Sequence, residues 1–157
     1  MNTRGAGRTG AWMVSLALAA VLPACGSGDA GTTPATPERT RIAAGTFNVV
    51  GTEEAAQNGL VVDIGSGPIG VPNSGTLEIV ADWTSPSNNI DIYFFLGSCV
   101  SAQAVRGDCT IANRSSSTTT KPERLTIFGV PAGNYSVGFA NLGLTNETGS
   151  FEVFLTR

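Results

Sequence analysis

Residues 75–83 read GTLEIVADW, and their alternation decides the fold class. Leu77, Ile79, Ala81 and Trp83 fall on one side of an extended chain, and Glu78, Val80 and Asp82 on the other. A period of two with one apolar face is the pattern of a half-buried strand. Outward from there, NIDIYFFLG (89–97) repeats it, with Ile90, Ile92, Phe94 and Leu96 alternating with Asp91, Tyr93 and Phe95. ERLTIFGV (123–130) continues the series. GNYSVGFANL (133–142) follows with Tyr135, Val137 and Phe139 in phase, and SFEVFLT (150–156) with Phe151, Val153 and Leu155. The intervening SPSNN, VPAGN and LTNETG are rich in turn-forming residues. Helical spacing is confined to EEAAQNGL (53–60), one turn at most. The pattern predicts an all-β domain, an antiparallel β-sandwich of jelly-roll type with about 7–9 strands.

Upstream of this domain the composition changes twice. Arg4 and Arg8 precede AWMVSLALAAVL (11–22), an apolar stretch that ends at small residues before Cys25. A positive start, a short apolar segment and a small residue are the marks of an export signal, and the segment falls short of the ~20 residues that span a bilayer. Leu22-Pro23-Ala24-Cys25 resembles the lipobox of bacterial lipoproteins, although Pro is a less usual residue at its position. The resemblance implies removal of residues 1–24, a diacylglycerol on the Cys25 thiol, and a membrane anchor. Gly26 stands after the Cys where an Asp would signal inner-membrane retention, so the resemblance implies the outer membrane in a cell that has one. The alternative is an ordinary signal peptide with a chance Cys near its end. Residues 26–44, GSGDAGTTPATPERTRIAA, are dominated by small and polar residues. We expect residues 25–44 to form a flexible tether of about 20–25 Å reach, and residues 45–157 to form the domain.

Three cysteines are present, and one is assigned to lipid. The remaining pair, Cys99 and Cys109, is expected to be a disulfide in an exported chain. The chain holds no histidine to complete a zinc site or to build a Ser-His-Asp or Cys-His arrangement. A Ser-Lys pair would need Lys121, the only lysine, which lies in a polar loop before a proline. Without Arg4 and Arg8, seven basic residues remain against twelve acidic ones, a net charge of −5. No basic cluster suits a nucleic acid.

GSGPIG (65–70) matches the glycine spacing of a dinucleotide turn after an apolar run. Such a turn needs a helix after the glycines, whereas here VPNSGTLEIV leads into a strand and Pro68 removes a backbone donor. We expect a β–β connection and no nucleotide. Carboxylates for glycoside hydrolysis are formally present in Asp63, Glu78, Asp82, Asp91 and Glu152, with nothing to select two of them. Catalysis is therefore not expected.

Asn89-Ile90-Asp91-Ile92-Tyr93 and Ala132-Gly133-Asn134-Tyr135 together resemble the pre-peptidase C-terminal domain and related exported jelly-roll modules, over roughly residues 75–157. That resemblance implies an accessory binding role and raises the question of calcium, with Asn89, Asp91 and Asp82 as weak candidate ligands beside Asn88. Asn89 stands where the family carries an acid, which weakens the transfer. Turn chemistry alone accounts for these Asn and Asp residues. Trp83 is in phase with the core. Tyr93 and Phe95, out of phase with the Ile90 set, are either an exposed ligand platform beside Asp91 or buried beneath the Cys99–Cys109 loop.

Together these observations predict a membrane-anchored lipoprotein whose non-catalytic sandwich binds a glycan, a cell-wall component or an envelope protein. The alternatives are a structural envelope protein assembling through edge strands, and a small carboxylate hydrolase.

Overall fold

A computed structural model of the chain describes residues 35–52, 62–65, 68–115 and 120–157. Cys25, the lipobox, the first half of the expected tether (residues 25–34) and the segment EEAAQNGL lie outside the described residues. Nine strands are present among the described residues: β1 (Arg39–Val49), β2 (Val62–Ile64), β3 (Ile69–Val71), β4 (Gly75–Trp83), β5 (Ile90–Leu96), β6 (Ile111–Arg114), β7 (Glu123–Val130), β8 (Gly133–Asn141) and β9 (Glu147–Thr156). One short helix, α1 (Ser101–Arg106), lies between β5 and β6.

The strands form two antiparallel sheets. The first has the order β1-β9-β4-β7; the second has the order β2-β8-β5-β6, with β3 also pairing with β8. β2 and β3 pair with successive parts of β8, Asp63 opposite Phe139 and Ile69 opposite Tyr135. They thus act as one interrupted strand; within GSGPIG the described Ile69 and Gly70 already belong to β3, so the motif runs into a strand and not a helix, as expected. Counted so, the chain crosses between sheets at every step except β5 to β6, which is the jelly-roll path.

The alternation in GTLEIVADW is realised residue by residue. Leu77, Ile79, Ala81 and Trp83 enter the core, Glu78 and Val80 are half-buried and Asp82 is exposed. Facing strands supply the rest of the core. The Phe47 and Phe139 rings stack at 4.3 Å, Phe139 meets Phe151 at 5.1 Å, and Phe94 stacks on Tyr135 at 4.8 Å. Burying such rings is the main favourable term here, at about 1.5–3 kcal/mol each.

One boundary differs from the expectation. β1 begins at Arg39, so residues 39–44, read as tether, form the outer half of an edge strand paired with β9 from Thr156 to Glu152. The small residues of RTRIAA made this stretch look solvent-borne. Ile42 and Ala43, however, pack against the core, and the β9 edge supplies backbone partners. A bulge between Arg41 and Ala43 breaks the alternation that would have marked the strand.

Candidate functional site

The two sheets differ in what covers their outer faces. On the second sheet, the chain leaving β5 turns at Gly97, whose φ of 70° is left-handed, and folds back over the face it has just left. α1 is held there by three contacts. The Ile64 amide donates to Ser101 Oγ at 3.0 Å, the Cys99 amide donates to Ser136 Oγ at 2.9 Å, and Gln103 Oε1 accepts from the Val100 amide at 3.1 Å. The Cys99–Cys109 disulfide, with Cα atoms 5.9 Å apart, closes the loop as the sequence suggested. On the chain-entropy account it adds roughly 2–3 kcal/mol.

This cover corrects the exposed-platform reading of Tyr93, Phe95 and Asp91. Phe95 is only 2 % exposed, in a small cluster with Cys99 and Ala140, against which Tyr93, Ile64 and Ala104 pack. Tyr93 is half-buried with its ring 6.1 Å from that of Phe95. Asp91 is buried, and that burial raises its carboxyl above the ordinary 3.8, with Glu123 adding to the effect and Arg114 opposing it. The pair of aromatics is therefore a second, minor core.

Nor do the calcium candidates converge. Asp82 points outward from the first sheet, whereas Asp91 points outward from the second, because each alternates with core residues of its own strand. Asp82 pairs with Lys121 at 3.1 Å. Asn88 donates to Glu147 at 3.0 Å and accepts from Thr145 at 3.3 Å, while the Asn89 carbonyl accepts from the Leu142 amide at 2.7 Å. These atoms tie the β4–β5 loop to the β8–β9 loop. Among the described residues, no three acidic or sulfur side chains gather as a metal site. Burial tends to raise Glu147, but donors from Asn88, Ser85, Thr84 and Thr148 outweigh it and hold the carboxyl below 4.5.

The outer face of the first sheet carries no such cover among the described residues. Near its β1–β7 middle it is laced with ion pairs. Glu78 binds Arg39 and Arg124, each at 2.7 Å; Glu152 binds Arg41 at 2.7 Å; and the Arg39 guanidinium lies 3.4 Å over the Phe154 ring. Three of the five carboxylates considered for hydrolysis, Glu78, Asp82 and Glu152, are thus held by cations on this face. Asp63 accepts from the Asn48 amide at 2.7 Å, and Asp91 is buried on the second sheet.

Toward the β4–β5 loop the same face opens into a groove of about 490 Å³. Its walls are the outward residues Thr46 and Asn48 of β1, Thr148 and Ser150 of β9, and Asp82 and Thr84 at the end of β4. Gly149 lies at its floor, where a Cβ would collide with the Phe47 ring and the Asp82 carbonyl. Trp83 also lines the groove, and its Nε1–H is a buried side-chain donor without a hydrogen-bond acceptor among the described residues. A donor left so costs about 1–3 kcal/mol. The sequence reading missed this groove because its residues are ordinary polar strand residues. Only the register, Thr46 opposite Ser150 and Asp82 opposite Ser150, brings the polar side chains of three strands together.

A third feature is apolar. β7 carries a two-for-one bulge against β4, since Gly75 opposes Val130 while Leu77 opposes Ile127. Gly129, at φ 65°, turns the chain there and leaves Phe128 81 % exposed. Beside it a hollow of about 210 Å³ runs between the two edge strands β6 and β7, lined by Leu96, Ala112, Pro131 and Tyr135.

Among the described residues no helix is long and apolar enough to cross a membrane. Compared with protein-family models and with curated proteins, the chain matches none.

Proposed function

We propose that this chain is an exported bacterial lipoprotein, anchored through lipid on Cys25, whose sandwich is a non-catalytic binding module. The anchor rests on the charged start, the apolar stretch 11–22 and the lipobox-like Leu22-Pro23-Ala24-Cys25. The binding role rests on one observation: the disulfide loop covers Tyr93 and Phe95 on the second sheet's outer face, while the first sheet's outer face carries no such cover among the described residues and is grooved. The resemblance of residues 75–157 to pre-peptidase C-terminal modules supports an accessory, ligand-holding task. The net charge of −5 after processing favours neutral or cationic partners over anionic ones.

Intact mass of the membrane-extracted protein tests the anchor. The expected mass is that of residues 25–157 plus a lipid adduct, less two hydrogens for Cys99–Cys109. An unlipidated mass overturns the lipoprotein reading.

Phe128 favours a second reading, assembly of copies through the β6 and β7 edges. An aromatic raised on a bulge next to an apolar hollow is a self-complementary knob and socket. Sedimentation across a concentration series decides it. A dimer lost in Phe128→Ser supports the reading, and a monomer throughout removes it.

A further inference from the structure

We infer that the groove at the Trp83 end of the first sheet binds a neutral, hydroxyl-rich ligand, a segment of an uncharged glycan chain. The inference deepens the binding-module reading and rests on it. Two observations carry it. First, the walls hold side chains that both donate and accept, the hydroxyls of Thr46, Thr84, Thr148 and Ser150 and the amide of Asn48. A sugar hydroxyl has the same dual character, so such a wall matches it without demanding a charge.

Second, the one acid in the wall, Asp82, is already compensated by Lys121 at 3.1 Å. The groove therefore offers no uncompensated charge to an ionic ligand, and the acidic chain as a whole repels anions. At about 490 Å³ the groove is within the size range of small-ligand sites and open along its length, as a chain segment requires.

The apolar hollow beside Phe128 does not compete for this ligand, because its lining of Leu96, Ala112, Pro131 and Tyr135 offers sugar hydroxyls little to pair with.

Trp83 makes the test direct. It is the only tryptophan of residues 25–157, so its fluorescence reports on the groove alone. The mature protein, held in lipid nanodiscs, is titrated with cellohexaose, maltohexaose, mannohexaose and chitohexaose to about 10 mM, with a polygalacturonate hexamer as the charged control. Saturation-transfer NMR on the same samples gives an independent readout. We expect a saturable Trp83 change with at least one neutral hexamer and none with polygalacturonate. The double variant Asn48→Ala, Ser150→Ala, at exposed positions, should weaken that binding by about tenfold or more, and Leu96→Ser on the far edge should leave it intact.

No saturable signal from any neutral hexamer overturns the inference, as does binding that survives the double variant. The two readings fail separately. A lipidated protein that ignores the panel removes the glycan groove and leaves the anchor; an unlipidated protein that binds removes the anchor and leaves the groove.

Discussion

The outer faces of the two sheets are built from the same alternating pattern and end in opposite environments. On the second sheet, Asp91, Tyr93 and Phe95 take the outward positions of β5, and the loop through α1 and Cys109 packs over Tyr93 and Phe95. On the first, Glu78, Val80 and Asp82 take the outward positions of β4 and remain at the surface, steadied by arginines and one lysine. The difference lies in the next stretch of chain. After β5 comes a ten-residue disulfide loop anchored to Ser136, while after β4 comes the short SPSNN turn, which cannot reach back. One face thus becomes core and the other stays at the surface among the described residues.

The contrast is broken most severely at Phe95. Phe95→Ala should cost about 3–5 kcal/mol in denaturant unfolding, as a ring removed from a sealed cluster leaves a cavity. Phe154→Ala on the bare face should cost well under half of that, because Phe154 is only half-buried beneath Arg39. Equal losses would mean that the cover is not a core.

Removing the cover's staple comes next. Cys99→Ser with Cys109→Ser should lower stability by roughly 2–3 kcal/mol. It should also raise amide exchange over residues 98–110 more than over β4 or β9. Uniform acceleration would show that the loop has no independent stability.

The two faces also answer pH with opposite sign. A hydrogen bond from Arg39 holds the Glu78 carboxyl below its ordinary 4.5, with Arg124 assisting. Its contribution is present above 4.5 and is lost as pH falls through the lowered folded value. Asp91 is raised above 3.8 by burial, so the folded state is favoured most below 3.8 and loses that advantage as pH rises through the folded value. Relative to the parent, Glu78→Gln should lose stability near about pH 6 and converge with it near about pH 3. Asp91→Asn should gain stability near about pH 6 and converge at the same low pH. Stability–pH curves of the same sign for both would refute the contrast.

The smallest effect is expected from Arg124→Ala. Its pair with Glu78 is half-exposed and should be worth under about 1 kcal/mol, shrinking as salt is added. A loss that salt does not change would place the contribution in packing of the side-chain stem.

The alternation in GTLEIVADW, ERLTIFGV and SFEVFLT made most of the sandwich legible, because a strand with one buried face must write its period into its residues. The Cys99–Cys109 pair was legible from the expectation of export, under which two leftover cysteines have few other uses. β1 was half hidden by its bulge and small residues. The helix SAQAVR was missed because six residues carry too little periodicity to register, and it stands by its contacts with Ile64 and the disulfide loop.

The fate of Tyr93 and Phe95 could not be read from their phase. Phase says which face a side chain takes, and what lies on that face depends on where the following loop docks. The same holds for the groove: Thr46, Asp82 and Ser150 are unremarkable along the sequence and become neighbours only through the register of β1, β9 and β4. Local periodicity determined the strands, their inward faces and the staple. Tertiary structure decided which outward face was covered and which, among the described residues, was not, because the docking of a loop onto a face is written in no strand's period.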